Sequence, residues 1–129
     1  MKLEMSPITF IKKIYSSVKS PLMLPYEICQ ALGLDQNTFD SFDDFIQQAT
    51  HPVALGNRVK RFSSREDAEL LFDASEKKER FRNQSVYYFY FAKAWLAISL
   101  HFDDEHCLRR LYLIHEHIFE ERLELKLRS

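Results

Sequence analysis

The run Val86–Phe102, VYYFYFAKAWLAISLHF, is the most apolar stretch of the chain and carries one charge, Lys93, in seventeen residues. As a helix it would reach about 26 Å. That is short of the roughly 20 apolar residues a bilayer span needs, and Lys93 would stand near the membrane centre at high cost. No membrane association is expected. The run also exceeds the usual strand of about 5–6 residues. Ala92, Ala94, Leu96 and Ala97 favour helix, and their small side chains let neighbouring helices approach closely. Tyr, Phe and Val favour strands, which leaves two buried strands around Val86–Phe91 as the alternative. Length decides for a helix. The run is therefore expected to be a central helix, 86–102, surrounded on most sides.

The rest of the chain fits around such a spine. Its 129 residues can bury roughly two thirds of their unfolded surface, enough to fold without metal or disulfide. Two glycines and no Asn-Gly or Asp-Gly pair argue against tight hairpins. The expectation is an all-α fold: a single domain, 1–129, of about five to six helices, the last two antiparallel. Cys29 and Cys107 stand at no metal-like spacing and read as small core residues.

Helix boundaries follow from caps and prolines. Ser6-Pro7 opens a first helix, with Ile8, Ile11, Ile14, Tyr15 and Val18 at helical spacing and Lys12 and Lys13 on the other face. Pro25 opens a short helix, Tyr26 to Leu32, ended by Gly33 in a left-handed turn. Asp35 is expected to cap a third helix from Gln36, with Phe39, Phe42, Phe45 and Ile46 inward, stopping by Thr50-His51-Pro52. Residues 52–62 read as a loop. Ser63 with Glu66, or Ser64 with Asp67, forms a capping box for a fourth helix. Glu76–Arg80 reads as solvated charge, and Asp103-Asp104-Glu105 as the acidic start of the last helix.

Charge is laid out in blocks although the net is −1. Residues 21–52 hold Glu27, Asp35, Asp40, Asp43 and Asp44 without a Lys or Arg; residues 53–65 add Arg58, Lys60, Arg61 and Arg65. Within the acidic block, Cys29, Gly33, Leu34, Phe39 and Phe42 fall where a helix-turn-helix places its small residue, its turn glycine and its apolar anchors. Pro25–Gln48 thus resembles a helix-turn-helix corner. Gln36, Asn37 and Ser41 would then face DNA, with Lys12 and Lys13 on flanking phosphates. Asp40, Asp43 and Asp44 on the same helix would repel that polyanion.

Catalytic signals are absent from the sequence. There is no P-loop, nucleotide fingerprint or Gly-x-Ser-x-Gly, and the histidines and acids of 101–121 lack the paired Glu-x-x-His spacing of a metal bundle. Neither cofactor nor metal is expected. The sequence therefore points to a non-enzymatic protein–protein interaction module in the cytoplasm, an adaptor, chaperone or inhibitor. Asp40, Asp43 and Asp44 would form an acidic, Phe-bearing helical face, and Arg58, Lys60 and Arg61 a basic one. A homodimer matching acidic block to basic block is one arrangement; a DNA-binding regulator is the alternative.

Overall fold

The structure, a computed structural model, describes residues 22–51 and 59–128. The expected first helix, with Lys12 and Lys13, lies outside the described residues, as does Arg58. In chain order the elements are β1 (Leu22–Met23), α1 (Tyr26–Ala31), β2 (Thr38–Phe39), α2 (Phe42–Thr50), α3 (Arg65–Leu70), β3 (Lys77–Arg80), β4 (Gln84–Phe91), β5 (Ala94–Phe102), β6 (Leu108–Ile114) and β7 (Leu123–Leu125). β1 and β2 form a small antiparallel pair. β3 to β7 form a five-stranded antiparallel sheet in which chain order is sheet order. The all-α expectation is overturned, and with it the helical bundle and its antiparallel last helices, whose places are taken by the β4–β5 hairpin and by β6. Among the described residues no helix is long and apolar enough to cross a membrane.

The expected central helix is a β-hairpin. β4 and β5 pair without interruption from Gln84↔His101 to Phe91↔Ala94. Ala92 (φ 58°) and Lys93 (φ 65°) make the two-residue turn. Positive φ at both positions marks a type I′ turn, whose twist matches that of the strands. The one charge of the run is thus at its tip. A non-glycine residue in the left-handed region costs roughly 1–2 kcal/mol. Burying a large apolar side chain contributes about 1.5–3 kcal/mol. The hairpin buries Phe89, Leu96, Ile98 and Leu100 completely or nearly so, so packing outweighs the strained turn.

The register sorts the hairpin into two faces. Phe91↔Ala94, Phe89↔Leu96 and Tyr87↔Ile98 point inward, and Tyr90↔Trp95, Tyr88↔Ala97 and Val86↔Ser99 point outward. Leu111 and Leu113 of β6 continue the inner face beside Leu100 and Ile98, and Leu125 and Leu123 of β7 extend it. The helices cover this face. Phe45 meets Phe91 edge-on at 4.9 Å between ring centroids, and Phe72, just after α3, meets Tyr87 at 5.6 Å. One continuous apolar cluster runs from Leu22 to Leu125.

Arg65, 4% exposed, clasps α3 to the sheet. Its guanidinium donates to the carbonyls of Phe81 (2.6 Å), Arg82 and Gln84 (3.2 Å), to Ser85 Oγ (3.0 Å) and to Glu69 Oε2 (2.9 Å). It lies 4.8 Å from the Phe102 ring centroid. Burial alone would raise the Glu69 carboxyl, but hydrogen bonds from Ser85, Arg65 and Arg80 outweigh it and hold it below the ordinary carboxylate range. Breaking such a buried charge pair from one side costs about 3–5 kcal/mol.

Local signals were legible where capping decides. Ser64 caps α3 by accepting the Asp67 N–H at 3.1 Å. Gly33 (φ 73°) follows α1, and His51 closes α2. The helix-turn-helix corner does not form as expected. Its second helix starts at Phe42, capped by Ser41 accepting the Asp44 N–H at 3.1 Å. Gln36 and Asn37 precede it in a connector held open from two sides. Thr38 and Phe39 pair with Met23 and Leu22, and the Cys29 thiol donates to the Gln36 carbonyl at 2.8 Å. The acidic start expected at Asp103 is instead the β5–β6 turn. There the Asp103 carboxylate accepts the Glu105 and Cys107 N–H groups, each at 2.9 Å. Glu76–Arg80, expected as solvated charge, is largely exposed and contributes the edge strand β3, whose charged side chains discourage pairing with another strand.

Lys93 is exposed at the turn tip, so Lys93→Gly relieves the left-handed strain at the cost of glycine's extra freedom when unfolded. We expect urea denaturation to show a gain of about 0.5–1 kcal/mol. A loss of about 1 kcal/mol, as for glycine inside a helix, would contradict the turn.

Candidate functional site

The basic segment Lys60–Ser63 is built as a tight knuckle on the end of the sheet. Lys60 bridges Arg128 in parallel fashion, and Arg61 N–H donates to the Arg128 carbonyl at 2.7 Å. Phe62 N–H donates to the Leu108 carbonyl at 2.7 Å, and Leu108 N–H returns a bond to Ser63 at 2.8 Å. Ser63 closes the turn on the Lys60 carbonyl through its N–H (3.2 Å) and its hydroxyl (2.7 Å). Phe62 is the third residue of this turn and has φ 73°. A type II turn asks for glycine or asparagine there, and a bulky residue in this region is a true outlier.

The strained Phe62 carries an exposed ring. It is 49% exposed and lies between two guanidiniums, Arg61 at 5.2 Å and Arg109 at 4.8 Å from its centroid. Arg109 is oriented by the Asp103 carboxylate, 2.7 Å from its Nε. Hydrogen bonds from Cys107 N–H and Arg109 hold the Asp103 carboxyl below its usual range. Each exposed cation–π contact is worth about 0.5–1 kcal/mol, near the cost of the left-handed backbone. The ring is thus held out at little net gain to the fold.

The expected site residues divide. Lys60 and Arg61 are in the knuckle. Phe62, Arg109 and Arg128 join them there and were missed, the last two because the sheet that brings them in was read as helix. An aromatic inside a basic block was the signal for Phe62. The acidic block sits elsewhere. Asp43 and Asp44 lie in the first turn of α2, where the helix dipole favours them. Asp44 also accepts the Asp40 N–H (3.3 Å) and the Gln48 amide (3.1 Å). The helix is not Phe-bearing on its acidic side, because Phe39, Phe42 and Phe45 are all buried. Phe42 stacks on His115 at 4.5 Å and tilts against Phe91, which places the acidic cap at the hairpin-turn end of the sheet. The knuckle sits at the opposite end, about 25–30 Å away along β5. One copy therefore does not bring its own acidic and basic blocks together. Gln36, Asn37 and Ser41 lie on the connector and cap rather than on one helical face.

His115 is buried among aromatics. Its Nε2 is 2.7 Å from the Phe91 carbonyl, and its Nδ1 accepts the His117 N–H at 3.0 Å. That pattern fits the neutral ring with its proton on Nε2. Burial lowers its proton affinity, with His117 adding to the effect and the Phe91 carbonyl opposing it. Among the described residues no group of histidine, cysteine, aspartate and glutamate is arranged to hold a metal ion. Compared with known proteins, the chain matches no family model, and no curated protein or solved structure is significantly similar to it.

Because the folded-state pKa of His115 is depressed, the unfolded chain binds more protons just below pH 6.5. His115 therefore contributes stability that is fully present above the unfolded value and is lost as pH falls toward the folded one. We expect unfolding free energy to decline as pH falls from about 6.5 toward the folded-state value, by at most ~1.4 kcal/mol per pH unit for this group. His101 is lowered too, chiefly by burial, so denaturation curves of His115→Gln and His101→Gln should each flatten the decline in part. A wild-type stability independent of pH across this range would refute the buried neutral ring.

Proposed function

We propose that the protein is a non-enzymatic interaction module that grips an acidic surface of another protein through the Lys60–Ser63 knuckle. The observation that carries this is Phe62, an exposed aromatic in a strained backbone position between two arginines. Phe62 and its flanking guanidiniums have the composition of an interface hot spot, where aromatic and arginine anchors dominate. Glycine at position 62 would serve the turn better, so the ring answers to something other than folding.

A second copy of the chain is one partner of the required chemistry. In an antiparallel pair, the acidic cap of α2 in each copy can meet the knuckle of the other, an isologous contact that closes on itself. Duplex DNA is the competing ligand, since the same arginines can neutralise phosphates.

Phe62→Gly separates folding from binding. Strain relief, glycine entropy and the lost ring contacts nearly cancel, so its stability should stay within about 1 kcal/mol of wild type. Capture of the native partner from nuclease-treated lysate should fall at least tenfold. Equal capture by the variant, or binding that disappears with nuclease, would overturn the proposal.

A further inference from the structure

The outer face of the sheet holds a polar cluster that neither the core nor the knuckle uses. Gln84, His101 and Arg110 stand in one row across β4, β5 and β6, with Ser99, Tyr112 and Glu124 in the next. Gln84 Nε2 donates to Ser99 Oγ at 2.8 Å, and Ser99 Oγ lies 3.0 Å from His101 Nε2. The His101 ring meets Tyr112 edge-on at 4.9 Å, and the Arg122 guanidinium covers Tyr112 at 4.0 Å.

Counting protons fixes the histidine. Ser99 is 1% exposed and has one hydroxyl proton to give. Among the described residues the acceptor for it is His101 Nε2, since Gln84 approaches as a donor. The neutral ring then carries its proton on Nδ1, and among the described residues this N–H has no partner. His101 stands on the outer face of the sheet and is only half-buried, so part of its ring reaches the surface there.

Two guanidiniums share this face: Arg110 stands opposite His101 on β6, and Arg122 lies over Tyr112, whose ring meets His101. Burial, then Arg122 and Arg110, lower the proton affinity of His101. Arg110 is engaged by the Tyr112 side chain and by Glu124, whose carboxylate is 3.5 Å away with both ends of that ion pair well exposed. Such an ion pair is worth little. Arg122 has no carboxylate partner among the described residues. A ring N–H and two arginines thus share one face with a single, loosely engaged acid.

We infer that this cluster is an oxyanion-binding site, in which His101 Nδ1–H, Arg110 and Arg122 donate to a phosphoryl or carboxylate group. Charge-assisted hydrogen bonds of this kind are about twice as strong as neutral ones. The Gln84–Ser99 chain acts as the positioning element that fixes the tautomer. The site is separate from the knuckle and does not depend on the role of Phe62.

NMR of the His101 ring nitrogens tests it directly, with inorganic phosphate and acetate as separate probes and chloride at matched ionic strength as reference. Phosphate or acetate at millimolar concentration should shift the ring signals saturably and raise the His101 pKa, because a bound anion favours the charged ring. A larger effect of phosphate marks a phosphoryl site, and a larger or equal effect of acetate a carboxylate site. Arg122→Gln, an exposed change just before β7, should weaken the response at least tenfold. Shifts no larger than those of chloride, or an undiminished response in Arg122→Gln, would overturn the inference.

Discussion

Pairing of β4 with β5 is the constraint on which the rest of the molecule depends. Eight consecutive rungs turn the most apolar part of the chain into a platform with one greasy face. Both α2 and α3 find packing partners there or on the strands beside it. Phe42 and Phe45 of α2 meet Phe91, Phe72 meets Tyr87, and the Arg65 guanidinium rests on Phe102. None of the three helices among the described residues exceeds nine residues. Helices this short are not stable alone in water, so their order is borrowed from the sheet.

The fold tolerates left-handed backbone without glycine, and does so at chosen places. Ala92 and Lys93 turn the hairpin, His106 turns β5 into β6, and Phe62 turns the knuckle. At the first two turns the strain is offset by the strands it joins. At Phe62 the offset is weaker, because the ring stays in solvent between two arginines. Backbone strain persists when the surroundings over-determine it. Here the bonds to Arg128, Leu108 and Lys60 do so.

What the residues revealed in advance follows this physics. Ser64 and Gly33 act through their own neighbours, and those two signals were legible. The hairpin was not, for two reasons. Its turn is Ala-Lys, so the usual Asn-Gly marker is missing. Its outer face is also largely apolar in sequence: Val86, Ala97 and Ser99 are buried there, and Tyr90 and Trp95 are exposed aromatics, which blurs the in-out alternation of a half-exposed strand. A seventeen-residue run then looks like one element, although the Ala92-Lys93 turn divides it between β4, which begins two residues earlier at Gln84, and the nine-residue β5. The basic block was visible at Lys60 and Arg61. Arg109 and Arg128 reach it only through the sheet, and no local pattern announces them.

Backbone NMR across Val86–Phe102 tests the hairpin most directly. In a two-residue hairpin the pair next to the closing pair is not hydrogen-bonded, and its Cα atoms approach to about 4.5 Å. That pair is Tyr90 and Trp95, so a strong Hα–Hα contact between them should appear. Carbon shifts should be strand-like on both sides and interrupted only at Ala92-Lys93. Helical shifts running unbroken through those two residues, with contacts three residues apart in place of the cross-strand one, would contradict the structure.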